Sequence, residues 1–134
     1  MQHLATALIA ALPLALSGQT QIDKIIPALV QVESNGNVRA VGDGGRSLGH
    51  LQICKEVVAD VNRVTGSTYR HTDAFNPAKA NAICKAYLAH YASPGRLGRE
   101  PTFSDLARIW NGGPEGHRKL STIRYWNKVS FLLR

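Results

Sequence analysis

Two carboxylates ten positions apart, Glu33 and Asp43, are the side chains of this sequence best suited to proton chemistry. Glu33 continues an apolar stripe, Ile26, Leu29, Val30 and then Glu33, at i, i+3, i+4 and i+7 of a helical pattern over residues 22–34. Its carboxyl should therefore be partly withdrawn from water. It also falls in the last helical turn, where the negative end of the helix dipole disfavours a second negative charge. Both effects raise its pKa and hold a proton near neutral pH, which is what a general acid needs. A helix-end glutamate turned into solvent is the plainer alternative. Asp43 stands within Gly42-Asp43-Gly44-Gly45. A hairpin there would present it across a cleft from Glu33, although turn geometry alone also favours Asp between glycines. Two carboxylates in unlike environments are the usual equipment for cleaving a glycosidic bond.

A second cluster is Trp110-Asn111-Gly112-Gly113-Pro114. Its glycines let backbone amides approach a ligand, its Asn amide both donates and accepts, and Trp110 with Tyr125-Trp126 offers faces for sugar rings. The same run also reads as an ordinary helix stop beside core aromatics. Other signals are weak. His50, His71, His90 and His117 lack the spacing of metal ligands, and Cys54 and Cys84 have no neighbouring His cluster, so no metal site is expected. Ser34, Ser47 and Ser121 lack the context of an activated nucleophile, and Gly42 to Gly49 lacks the ending of a phosphate loop.

The elements that must position these groups can be read in outline. Residues 22–34 form the first helix, with Pro27 near its first turn and Asn35-Gly36-Asn37 ending it. Residues 38–53 are too rich in glycine for a helix and read as a turn-and-hairpin excursion. Val57, Val58, Val61 and Val64 mark a helix stopped by Gly66, and Asn76-Pro77 opens another whose face carries Ile83, Ala86, Tyr87, His90 and Tyr91. Thr102 to Trp110 is a further helix, and a last one begins after Ser121 with Tyr125, Val129 and Leu132 on one side. The expected fold class is α+β, mainly helical, with one small β-hairpin after the first helix.

The chain has 134 residues, 44% hydrophobic and 19% charged, which suits one compact domain and excludes wholesale disorder. Sixteen Lys and Arg against nine Asp and Glu give a net charge of +7, of which residues 96–134 hold +5. Nucleic acid, anionic lipid and an anionic cell wall all fit that balance, as does a basic face that only keeps the protein soluble. Residues 4–16, LATALIAALPLAL, have the length of a signal-peptide core, with small residues before a cut ahead of Gly18. The region before it lacks Lys and Arg, so a buried first helix competes with an export leader. If the chain is exported, Cys54 and Cys84 would pair. If it stays in the cytosol, they would be two buried thiols.

Taken together, these pieces resemble a known family. The run from Ala107 to Gly116 (ARIWNGGPEG), followed by Ser121 to Asn127 (STIRYWN), is similar to the C-terminal signature of invertebrate-type (destabilase) lysozymes. Val32-Glu33-Ser34, with Asp43 to Ile53 (DGGRSLGHLQI), resembles their catalytic stretch, and Tyr87 to Tyr91 a third patch. The similarity spans about residues 22–130. It implies a lysozyme-like fold and cleavage of the β-1,4 bond between N-acetylmuramic acid and N-acetylglucosamine in peptidoglycan. Glu33 would be the proton donor and Asp43 the nucleophile or the stabiliser of the oxocarbenium ion. Asn111, Gly112 and Gly113 would line the saccharide cleft beside Trp110, which replaces a His often found there. Ser47 and Tyr87, in the other matched stretches, complete the expected substrate-binding set.

Two departures qualify the resemblance. The family is dense in disulfides and this chain has two cysteines. Glu33-Ser34, Gly49-x-x-Gln52-Ile53 and Asn111 to Pro114 also resemble soluble lytic transglycosylases, which use one Glu and release an anhydro sugar. Both features suggest a bacterial or phage relative. The resulting expectation is a leader over residues 1–18 and a catalytic domain over 19–134, secreted or periplasmic and monomeric. It would act on peptidoglycan strands without a cofactor, nucleic acid or a membrane span. A lytic transglycosylase and a non-catalytic wall-binding module are the alternatives.

Overall fold

The computed structural model describes the backbone from Gln2 and the side chains from Gly18 to Arg134. The leader expected over residues 1–18 lies outside the described side chains, apart from Gly18 itself. The first helix, α1, runs Gln2–Ser34, so Pro27 falls in a helix interior and not in a first turn. Pro27 is exposed there, where the carbonyl that loses its partner still meets water. The opposite face buries Ile22, Ile25, Ile26 and Leu29, and Glu33 continues that stripe at the C-terminal end. Asn35 and Gly36 adopt positive φ (55° and 81°), which stops the helix at the point expected.

The excursion that follows is the expected hairpin, in miniature. Strands β1 (Val41–Gly42) and β2 (Ser47–Leu48) pair antiparallel, Val41 opposite Leu48 and Gly42 opposite Ser47. A 3-10 turn, Asp43–Gly45, joins them. A sheet of two-residue strands cannot stand alone. It is held from three sides. Ser34 Oγ donates to the His50 carbonyl at 2.8 Å, the Gly49 amide donates to the Ala40 carbonyl at 2.8 Å, and Leu48 exchanges backbone bonds with Ile53. Gly49 also lies against a later 3-10 turn, His71–Phe75. A Cβ at Gly49 would meet the Ala74 carbonyl oxygen at 1.9 Å, so only glycine lets the hairpin seat there.

The remaining helices are α2 (Lys55–Thr65), α3 (Pro77–Tyr91), α4 (Pro94–Leu97), α5 (Phe103–Gly112) and α6 (Ile123–Leu132). Their ends follow local chemistry. Gly66 in the left-handed region closes α2, Asn76 caps α3 ahead of Pro77, and Thr102 with Asp105 forms a reciprocal capping box on α5. Arg99 pairs with the same Asp105, Nη2 to Oδ1 at 2.9 Å, and hydrogen bonds and charge hold that carboxyl down at about 2. Helix α5 packs against α1, α3 and α6 around a core that includes Ile25, Leu29, Ile83, Leu88, Leu106 and Ile109. On α3 the buried stripe is Ala80, Ile83, Cys84, Tyr87 and Leu88, so His90, expected on the apolar face, is exposed instead. The fold is thus the mainly helical α+β arrangement expected, with the hairpin after the first helix. No helix among the described residues is long and apolar enough to cross a membrane.

Candidate active site

Where α1 ends, the hairpin folds back and α5 crosses, the surface opens into a cleft of about 600 Å³. Glu33 reaches it from the last turn of α1. Asp43, Arg46 and Ser47 reach it from the hairpin, Gln52 and Cys54 from the segment after it, and Trp110 and Asn111 from the end of α5. Both sequence-predicted carboxylates therefore line one cavity, although ten residues and a chain reversal separate them.

Their surroundings differ as acid chemistry requires. Glu33 is half-buried, and burial pushes its carboxyl from an ordinary 4.5 up to about 7. Hydrogen bonds from Tyr125 and Trp110 oppose the rise, and the negative charge of Asp43 adds to it. The Tyr125 hydroxyl donates to Glu33 Oε2 at 2.9 Å, from the inner face of α6. Burial in turn drives the Tyr125 hydroxyl well above its ordinary range, so it remains a donor at any physiological pH. Asp43 is exposed, with φ at 51°, a left-handed conformation that a short polar side chain tolerates. Its Oδ2 accepts from Ser47 Oγ at 2.6 Å, a bond that fixes the carboxylate across the mouth of the hairpin.

The structure separates the expected substrate-binding residues. Ser47, Trp110 and Asn111 line the cleft. Tyr87 does not: it is buried behind Trp110, with ring centroids 5.7 Å apart and edges set nearly perpendicular. That burial pushes its hydroxyl up to about 12. Gly112 and Gly113 also lie off the cleft wall. A Cβ at Gly112 would meet Thr122 Cγ2 at 2.4 Å, its carbonyl accepts from Lys119 Nζ, and Gly113 (φ 87°) ends α5. Gly112 thus lets α5 pack on the segment leading to α6. Tyr125, expected as a sugar-stacking face, instead meets the carboxyl of Glu33. Gln52, part of the Gly49-x-x-Gln52-Ile53 pattern, lines the cleft, as do Arg46 and Glu56, which do not stand out in the sequence beyond the place of Arg46 in the Asp43 to Ile53 stretch.

Cys54 and Cys84 are both free thiols, the first only partly buried and the second buried. Cys84 is sealed in the core on α3, and Cys54 precedes α2 at the wall of the cleft. Among the described residues no three His, Cys, Asp or Glu side chains gather in a group that could hold a metal ion.

No family model matches the chain. Individual proteins do. It is 38% identical over 87 residues to a lysozyme of Ostrea edulis, a match covering 63% of this chain and 61% of that protein. It is 34% identical over 83 residues to a lysozyme of Magallana gigas, covering 62% and 58%. It is 35% identical over 83 residues to lysozyme 1 of Crassostrea virginica, covering 62% and 43%. The chain thus spans about three fifths or less of the length of these relatives. They bear out the resemblance to invertebrate-type lysozymes.

Proposed function

We propose, from this similarity to oyster lysozymes, that the chain is a glycoside hydrolase of peptidoglycan, cleaving the β-1,4 bond between N-acetylmuramic acid and N-acetylglucosamine. The observation that carries the proposal is Glu33: its carboxyl is held at about 7 by burial, in a cleft it shares with Asp43. A carboxyl with that pKa keeps a proton at neutral pH and can give it up on demand. Because Tyr125 donates to Oε2, this reading puts the acid proton on Oε1, to be passed to the leaving oxygen. As the bond between C1 and the bridging oxygen breaks, that proton passes to the oxygen. Positive charge then develops on the sugar ring, and Asp43 stabilises it or bonds to C1. Water next adds to C1, giving its proton to Glu33 and restoring the acid. In this proposal Ser47 orients Asp43, and Trp110 and Asn111 contact the sugar. Secretion after removal of residues 1–18, and action as a monomer, complete the reading.

One observation favours a second reading. Asp43 is exposed and its Oδ2 is already engaged by Ser47, as a residue that merely shapes the hairpin would be. A lytic transglycosylase would use Glu33 alone and let a hydroxyl of the substrate close on C1. Mass spectrometry of digested peptidoglycan distinguishes the two, because the hydrolytic product carries one more water. Glu33→Gln should lower turnover by about 10²-fold or more in either case. Retention of more than about a tenth of wild-type activity would remove Glu33 from the chemistry.

A further inference from the structure

Arg46 is the one cation on the lining of the cleft among the described residues, facing a wall that also carries the carboxyls of Glu33, Asp43 and Glu56. Its side chain is exposed, and its Nε donates to the Asp43 carbonyl at 3.2 Å, closing the hairpin turn. That bond fixes the root of the guanidinium and leaves both Nη atoms unspent. None of the ion pairs among the described residues includes Arg46. The nearest carboxylate in sequence, Asp43, is turned to Ser47 Oγ instead. A planar fork held by Nε, with two Nη groups directed at solvent in a cleft, is suited to bidentate capture of a carboxylate. A neutral glycan offers such a group nothing to pair with, whereas an anionic glycan entering among three acidic side chains needs a cation to offset them.

We propose that Arg46 is a specificity residue that receives a carboxylate carried by the sugar in the cleft. On the peptidoglycan reading above, on which this inference rests, that group is either the lactyl carboxylate of N-acetylmuramic acid or a carboxylate of its peptide. Arg46 thereby selects muramyl-containing strands over neutral β-1,4 glycans of N-acetylglucosamine. It binds and orients the substrate and takes no part in proton transfer.

The test compares wild type, Arg46→Gln and Arg46→Lys on four substrates. These are peptide-bearing strands, peptide-free strands with free lactyl carboxylates, the same peptide-free strands with those carboxylates methylamidated, and neutral chitohexaose. Arg46→Gln should lose about tenfold in kcat/KM on carboxylate-bearing strands, mostly through KM, with partial rescue by Lys. On methylamidated strands and chitohexaose the loss should be equal and much smaller, no more than the missing Nε bond to the Asp43 carbonyl causes. A loss on peptide-free strands assigns the lactyl carboxylate, and a loss on peptide-bearing strands alone assigns the peptide. Equal loss on all four substrates, or on none, overturns the proposal. If wild type turns over no substrate, the hydrolase reading fails instead. Arg46 is then judged by the affinity of Glu33→Gln for peptide-bearing and for peptide-free strands, with and without Arg46→Gln, and equal affinities on both overturn it.

Discussion

A buried acid held ready to donate should cost the fold stability wherever it is forced to ionise, and Glu33→Gln measures that cost. Glutamine keeps the size of the side chain and an oxygen for the Tyr125 hydroxyl, so the substitution removes the titration and little else. In the unfolded chain the carboxyl titrates at its ordinary 4.5, and in the folded chain at about 7. Between those values the folded state holds a proton that the unfolded state has released. Stability from this group is therefore complete below 4.5 and is lost as pH rises through 7. At about 1.4 kcal/mol per pH unit, moving from 4.5 to about 7 corresponds to about 3 kcal/mol. Urea unfolding of both proteins from pH 4 to 9 provides the assay. Near pH 4 the two should be about equally stable, and above pH 8 Glu33→Gln should be the more stable by about 3 kcal/mol. Groups such as His50, whose burial lowers its pKa, titrate in both proteins and cancel in the difference. A difference that stays flat from pH 4 to 9 would refute the idea that Glu33 is buried at the expense of its charge.

Three other outcomes follow from the same geometry. Tyr125→Phe removes a donor that favours the ionised form of Glu33, so the alkaline limb of the kcat/KM profile should move upward from about 7. An unmoved limb would mean that the hydroxyl does not act on the acid. Asp43→Asn should lower kcat by about 10²-fold with little change in thermal stability if Asp43 stabilises the sugar cation; near-normal kcat would favour the transglycosylase. With +5 on residues 96–134, activity on whole walls should fall between about 0.05 and 0.5 M salt, where screening shortens to a few ångströms. Activity on chitohexaose should hold steady, and parallel loss on both substrates would dismiss electrostatic steering.

How much of this was legible in the sequence depended on the range of the interaction involved. Glu33 could be read because its burial follows from a helical stripe that Leu29 and its neighbours already mark. The hairpin and the caps at Gly66, Asn76 and Thr102 were legible because turn and cap chemistry is local. Pro27 was misplaced because helix α1 extends far upstream of the amphipathic segment that announced it. Helix α4 and the 3-10 turns are too short to show any periodicity. The surroundings of His90 and Tyr87 are not legible in the sequence because sharing a helix face does not say what crosses in front of it. Tyr87 lies behind Trp110, and His90 misses the stripe that Leu88 and Cys84 complete. Gly112 reads in the sequence as close approach to a ligand or as a helix stop, and the contact that a side chain there would make with Thr122 is visible only in the fold. The Tyr125 bond spans 92 residues, beyond anything a local pattern encodes.

That long span also sets an order of assembly. During synthesis Glu33 leaves the ribosome with α1, while the hydroxyl that meets it arrives 92 residues later, with α6. Until α6 docks, Oε2 of Glu33 lacks the hydroxyl that engages it, and the carboxyl is free to turn. A nascent chain lacking α6 would thus carry both carboxylates with the first of them not yet oriented. The orientation of Glu33 is complete only when α1 and α6 meet, so the closing of the fold and the setting of this carboxyl are one event.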